Sequence, residues 1–497
     1  MVDGCSKSEQ PDMWRKHFKS VFKAEETPYN GNLCDCIDEM IAVENPPPPS
    51  FSLSEINESI SNIDTDKSYN RHFHWKSLNS PNHAAKQCLR VIFYKWAVST
   101  ISNECNNFSD MFISNLNPIP KKGKKDPSKK SSYRPISIGT SENWVLERIF
   151  LNRLDPYINV HDCQMGYKKQ HSTSHAIEIV RNIERTIDAH VCLLDASAAF
   201  DNLSWARVRD QLVKRKVPPS LIKLVLTQIC SNRIRVCGTP DIFPRAGVKQ
   251  GGILSGKLFS ICYDDLIYCL YKTGAGILLS IPGKRRILLC IIVYADDILL
   301  LAKSPFGLME LIKKTLHFAN LYHDIFFNPS KSCILRLGPH NKAAVSVCNI
   351  PTEEQHVYLG VMIGRCANQA RESASMLYKN TNIMFSQNKC LQKCSTHVKN
   401  IAINAYGSIY SLENMTEVPS YVRAAHRYMT RRVHSDWRQF ADLPGPNITS
   451  RKLYTIYSLD SVEVVHRRSR NKFLLKAELS SNSLIRDFIG NLPKITV

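Results

Sequence analysis

Hydrophobic and polar positions along the chain follow two periods, and the places where one gives way to the other outline its elements. Ala176, Ile179, Val180, Ile183 and Ile187 recur at helical spacing and predict a helix with one buried face. The short run His190-Val191-Cys192-Leu193-Leu194 follows and ends in Asp195, as a buried strand would. Leu254 to Tyr271 reads as a mostly buried helix. Ile287 to Ala302 is apolar on both sides of Asp296-Asp297, with room for two strands and a tight turn, which puts the aspartates at a hairpin tip. Leu308, Leu311, Ile312, Thr315, Leu316 and Ala319 mark another amphipathic helix, and Cys333 to Leu337 a further strand. Near the start, Trp14 to Phe22 is amphipathic, and the run Pro46-Pro47-Pro48-Pro49 cannot be helical and predicts a stiff linker with a boundary near residue 50. Residues 51–117 are helical in pieces, Pro118-Ile119-Pro120 leads into an exposed lysine-rich loop, and the chain from about residue 370 onward is helix-forming and basic.

With 497 residues the chain holds two to four packed units, and a hydrophobic fraction of 43% with 22% charged residues excludes wholesale disorder. Lys and Arg number 65 against 44 Asp and Glu, a net charge of +21 that attracts polyanions, nucleic acid above all. The charge is clustered. Lys121, Lys122, Lys124, Lys125, Lys129 and Lys130 precede Arg134, while Arg427, Arg431, Arg432, Arg438, Arg467, Arg468 and Arg470 lie near the end, interleaved with Tyr428, Trp437, Tyr454 and Tyr457. The 17 cysteines are scattered and no signal segment opens the chain, so they read as reduced intracellular thiols. Cys390, Cys394 and His397 have ligand-like spacing, but zinc needs about four ligands and no second pair follows. The longest apolar run, near Ile287 to Ala295, falls short of the ~20 residues of a membrane-spanning helix, so no membrane partner is expected.

Two adjacent carboxylates at the end of an apolar hairpin repel each other, and a divalent cation resolves the conflict. Magnesium takes oxygen ligands, and phosphoryl transfer uses two such ions roughly 3.5–4 Å apart. Asp296 and Asp297 alone cannot hold both; Asp195, at the end of its own apolar strand, is the candidate third ligand. Taken singly, Tyr294-Ala295-Asp296-Asp297 is also what a solvated hairpin tip looks like.

The order of motifs narrows the choice. Tyr133-Arg134-Pro135-Ile136-Ser137 is followed by Leu194-Asp195-Ala196-Ser197-Ala198-Ala199-Phe200-Asp201, then Gly247-Val248-Lys249-Gln250-Gly251-Gly252-Ile253-Leu254-Ser255. The Asp-Asp hairpin comes next, then Asn328-Pro329-Ser330-Lys331-Ser332 and Tyr358-Leu359-Gly360. Over about residues 115 to 365 this series resembles the reverse transcriptases of non-LTR (LINE-like) retrotransposons. The resemblance implies an α+β right-hand polymerase fold, with fingers, a palm built on an antiparallel sheet, and a helical thumb. It implies an RNA-directed DNA polymerase with two Mg2+ ions, replaceable by Mn2+, on Asp195, Asp296 and Asp297. RNA template, DNA primer and deoxynucleoside triphosphates would be its partners. Phe200 matches the bulky residue that rejects a ribose 2′-hydroxyl, Gln250 and Gly251 the loop that meets template and nucleotide, and Tyr294, which opens the metal hairpin motif, is implied to be a further nucleotide- or template-binding residue. Lys122 and Arg134 resemble triphosphate-holding fingers residues, Lys331 a general acid for pyrophosphate, and Tyr358, Leu359 and Gly360 a primer grip.

The expected division is an N-terminal helical and linker segment over 1–50, fingers and N-terminal extension over 51–189, palm with fingers insertions over 190–365 and a basic helical thumb or C-terminal region over 366–497, with the reverse transcriptase domain at about 101–365. Two features depart from the family pattern: Gly256 stands where most relatives carry proline, and Lys67-Ser68-Tyr69-Asn70 replaces the usual glycine-rich turn. Neither an endonuclease ahead of the polymerase nor a cysteine-rich module behind it is evident, so the chain reads as the polymerase segment alone. The rival reading is a decayed remnant that binds nucleic acid without catalysis. The family's mode of integration implies a nuclear site of action.

Overall fold

The predicted strands and helices resolve into two units in the computed structural model, which describes residues 9–29, 31–47, 49–61, 84–104, 108–121, 126, 128–168, 171–196, 198–236, 238–279, 286–322, 324–328, 331–340, 343–364, 375, 422–423 and 462–489. The segments holding Lys67–Asn70, Lys122, Cys390, Cys394, His397 and the arginines from Arg427 to Arg438 lie outside the described residues.

The first unit comprises Met1–Tyr167, Ala196–Cys269 and Thr315–Asn328. Its sheet has the order β2-β1-β4: β1 (Ile113–Pro120) runs antiparallel to β2 (Tyr133–Gly139) and parallel to β4 (Arg233–Arg235). The amphipathic stretch at the start of the chain forms α1 (Gln10–Val21), and Trp14, Phe18 and the following Phe22 enter one buried cluster with Leu116, Ile234, Val236 and Ile242. Each such ring contributes about 1.5–3 kcal/mol by leaving water. A reciprocal backbone bridge between Glu25 and Phe243, both N···O distances 2.9 Å, fastens the end of this segment to the same unit. Helices α2 (Asp35–Glu44), α3 (Leu53–Ser61), α4 (Ala84–Ile101) and α5 (Ser141–Leu154) follow. In α4, Leu89, Phe93, Trp96 and Ala97 recur every three or four residues and are buried, which is why that stretch is a helix rather than a loop. Thr140 caps α5 by accepting from the Asn143 N–H at 3.2 Å.

The second unit comprises Lys168–Asp195, Leu270–Lys314 and Pro329–Val497. Helix α6 (Thr173–Thr186) realises the predicted 176–187 helix, closed at its start by a reciprocal cap between Ser172 and His175. Strand β3 (Ala189–Asp195) lies inside a four-stranded antiparallel sheet, between β8 (Asp297–Ala302) and β9 (Cys333–Leu337), with β7 (Ile291–Tyr294) on the far side of β8. Every residue of β3 before Asp195 is buried, so the strand reads as a continuous apolar run rather than an alternating one.

One expectation is corrected. The apolar run from Ile287 to Ala302 makes three strands, not two: β6 (Ile287–Leu289) pairs with β5 (Ile277–Leu279) in a separate ribbon, and only β7 (Ile291–Tyr294) and β8 form the hairpin. Apolar character alone cannot show that Cys290 divides the run, because both halves are equally hydrophobic.

Candidate active site

The carboxylates expected to bind metal lie in the second unit, at one end of its sheet. Asp195 is the last residue of β3 and stands directly across the ladder from Asp297, the first of β8. Directly opposed residues of an antiparallel pair project from the same face. Tyr294, the last residue of β7, is Asp297's partner on the other side, which leaves Ala295 and Asp296 as a two-residue loop. Ala295 adopts φ +56°, a left-handed conformation that costs a residue with a Cβ about 1–2 kcal/mol. Such strain is held where surrounding structure overrides it, often at functional sites.

Lys331 reaches the Asp195 Oδ2 with its ammonium at 3.1 Å, and the Ser332 hydroxyl accepts from the Asp195 backbone N–H at 3.2 Å. Lys331 and Ser332 of the predicted motif are thus brought to the first aspartate. Asp195 is about two-fifths exposed, accessible to a ligand from solvent. Hard oxygen donors from two neighbouring strands, one already balanced by a cation, suit magnesium, whose preferred ligands are carboxylate, phosphate and water oxygens.

Tyr358-Leu359-Gly360 forms the hairpin between β10 (Gln355–Tyr358) and β11 (Val361–Gly364). Leu359 and Gly360 sit at φ +48° and +84°, the paired left-handed conformations of a two-residue turn. The Tyr358 ring is buried rather than displayed, and its hydroxyl is pushed above its ordinary range by burial, with the nearby Asp297 and Tyr294 adding to the effect. Elsewhere in this unit Cys333, Glu353 and His356 bring their ligand atoms within 4.8 Å of one another, although His356 and Glu353 already pair at 2.8 Å.

Residues expected to meet the nucleotide lie in the first unit. Phe200 belongs to the short helix α7 (Ala199–Asn202) and stacks face to face on Phe259 of α8 (Ser255–Tyr271), with ring centroids 4.5 Å apart and planes 5° from parallel. Tyr167 meets Phe200 edge-on at 5.9 Å. The Gly256 departure finds its reason here: a Cβ at that position would stand 2.3 Å from a carbon of the Tyr167 ring, so glycine makes room for an aromatic neighbour. Tyr167 escaped sequence reasoning because it follows Gly166 in a stretch with no clear period.

The loop from Gly247 to Ser255 is anchored throughout. Gly247 donates to the Leu203 carbonyl at 2.8 Å and Val248 to the Phe200 carbonyl at 2.9 Å. Gly247 has φ +84°, and a Cβ there would lie 2.6 Å from the Asp201 carbonyl oxygen, so this close approach requires glycine. The Gln250 carbonyl accepts from Ser137 N–H at 3.2 Å, joining the loop to β2, and its amide donates to both oxygens of Asp201 at 3.0 and 3.1 Å. Farther along, buried Glu147 of α5 pairs with Lys249 at 2.5 Å and accepts from the Ile253 N–H at 2.8 Å and the Gln228 amide at 3.1 Å. Asp201 and Glu147 were not singled out from sequence; a carboxylate placed by tertiary contacts leaves no local periodic signal. Burial pushes the Asp201 carboxyl up to about 7, with the Gln250 amide and then Lys121 pulling the other way. Arg134 is exposed on β2, opposite Ile119 of β1.

Residues 119–363 match the reverse transcriptase (RNA-dependent DNA polymerase) family. The chain is 29% identical over 199 residues to the retrovirus-related Pol polyprotein of the type-2 retrotransposable element R2DM of Drosophila melanogaster, covering 38% of this chain and 18% of that protein. To the RNA-directed DNA polymerase of mobile element jockey of Drosophila funebris it is 31% identical over 193 residues, 36% of this chain and 20% of that one. The aligned region thus spans about a fifth of these relatives. A solved telomerase of Candida albicans, in complex with a fragment of telomeric RNA, matches over 82% of this chain and 69% of that chain, with 10% identity and a TM-score of 0.38.

Proposed function

We propose that residues 119–363, which match the reverse transcriptase family, form a reverse transcriptase domain of the non-LTR retrotransposon kind with the α+β right-hand polymerase fold, and that this chain extends a DNA primer on an RNA template. The observation that carries the reading is the ladder register that sets Asp195 opposite Asp297, with Asp296 in the adjoining turn. These carboxylates would hold two magnesium ions. Bound there, the metal supplies a lowered pKa for the attacking primer 3′-hydroxyl and neutralises charge on the transferred phosphate.

The chain's own side chains do the rest. Asp195 and Asp297 fix the donor oxygens on adjacent strands, so little reorganisation is needed when charge develops. Lys331, at 3.1 Å from Asp195, holds a proton that a departing pyrophosphate oxygen can take. Phe200, backed by Phe259, presents a wall against a ribose 2′-hydroxyl, and Gln250 and Gly251 shape the loop that receives nucleotide and template. Arg134 and Lys122 attract the triphosphate, and the turn at Leu359 and Gly360 supports the primer. The basic region from residue 366 onward acts as the thumb, and the work is done in the nucleus. The decayed-remnant reading is not favoured, because drift would not preserve this register, the lysine on Asp195 and the doubly anchored Gln250 together.

The test is extension of a DNA primer on an RNA template by the purified chain with magnesium, with EDTA, and with Asp195→Asn. Extension that requires both metal and Asp195 supports the proposal; hybrid binding without extension under every condition overturns it.

A further inference from the structure

Within the first unit, Gln250 is held at both ends. Its carbonyl accepts from Ser137 of β2, and its side-chain amide faces Asp201, whose two oxygens lie 3.1 and 3.0 Å from the same Nε2. Asp201 is itself buried, and its backbone is pinned against the loop, since Gly247 approaches the Asp201 carbonyl too closely to admit a Cβ. An amide has two orientations related by exchanging its oxygen and nitrogen. An ionised carboxylate only accepts hydrogen bonds, so it selects the orientation that points Nε2 inward and leaves Oε1 turned away. A protonated carboxyl could instead donate to Oε1, and the selection would be lost.

We propose that Asp201 is a positioning residue for Gln250: its ionised carboxylate locks the Gln250 amide in one orientation, so that an incoming nucleotide meets a preset hydrogen-bonding face. This deepens the polymerase reading and rests on it, since only a nucleotide-binding loop gives the orientation a consequence. Keeping a buried carboxylate ionised is unfavourable, and burial holds the Asp201 carboxyl up to about 7, close enough to neutrality for protonation to compete. Among the described residues, three charged side chains bear on it or line its cleft. Lys121, just past β1, favours the ionised form, while Glu147 and Lys249, which line the same cleft, are committed to each other at 2.5 Å.

The experiment is single-nucleotide incorporation by the full chain on an RNA template with a DNA primer, with deoxynucleotide titrated between pH 6 and 8.5. If only the ionised form presents the correct face, the apparent KM should rise about tenfold at pH 6, following the fraction of competent protein. In Asp201→Asn the neutral side chain accepts either orientation, so KM should be flat across this range while kcat keeps its ordinary pH profile. Gln250→Met, which has no amide to orient, should also be flat, and it carries the test if Asp201→Asn melts below the assay temperature. A wild-type pH slope in KM retained by either variant overturns the proposal. Absence of incorporation by the unsubstituted chain would instead sink the polymerase reading, and the proposal with it.

Discussion

Replacing Glu147 by methionine removes the partner of Lys249 while nearly conserving volume. Both side chains are more than nine-tenths buried, and their charged atoms lie 2.5 Å apart. Removing one member of such a pair leaves a desolvated charge and costs about 3–5 kcal/mol. Glu147 also accepts the Ile253 N–H at 2.8 Å, and that donor becomes an orphan at about 1–3 kcal/mol, part of which the larger figure already contains. A domain with about 5–15 kcal/mol of stability should therefore lose a large share of it. Urea denaturation followed by circular dichroism reads the loss. The double substitution Glu147→Met, Lys249→Met removes both charges and should recover the ionic part, leaving the cost of the orphaned N–H. The KM for deoxynucleotide should rise in the single variant, because Glu147 fastens the loop that carries Gln250. If Glu147→Met stays within about 1 kcal/mol of wild type, or the double variant is no more stable than the single one, the reasoning about this buried pair is wrong.

Gly247→Ala should lower stability by at least about 2 kcal/mol and raise the KM for deoxynucleotide, because the new methyl meets the backbone of Phe200 and Asp201 at a φ of +84°; unchanged denaturation and kinetics would show that the loop can shift at no cost. Asp201→Asn should stabilise the protein at pH 8 and hardly at pH 4. The sign follows from a folded pKa raised to about 7: the unfavourable term is absent below the unfolded value of 3.8, grows as pH rises, and is complete above pH 7. It amounts to a few kcal/mol at about 1.4 kcal/mol for each pH interval of one, and thermal melts at the two pH values measure it. Phe200→Val should weaken selection against ribonucleotides by about tenfold or more, measured as the ratio of kcat/KM for matched deoxy- and ribonucleotides.

What was legible in the sequence follows from what local pattern can encode. Strand β3, helix α6 and the Asp-Asp hairpin were readable because their periods are uninterrupted and the carboxylates end apolar runs. The break at Cys290 was not, since equally apolar residues on its two sides pair with different partners. Trp14 to Phe22 declared an amphipathic helix, but nothing local showed that its buried face meets Leu116 and Ile234. At the site, Asp195, Asp296 and Asp297 stood out as paired charges in apolar surroundings. Asp201, Glu147 and Tyr167 owe their places to residues 49, 106 and 89 positions away in the chain, at Gln250, Ile253 and Gly256, and such contacts leave no periodic trace. Gly256 shows the converse: a departure from the family pattern became intelligible once the Tyr167 ring was seen to fill the space.

The most direct test of the account is magnesium-dependent extension of a DNA primer on an RNA template by the purified chain beside the double substitution Asp296→Asn, Asp297→Asn, with affinity for the hybrid followed by gel shift. The account predicts that extension vanishes in the double variant while hybrid binding persists. Extension that survives the loss of both carboxylates would contradict it.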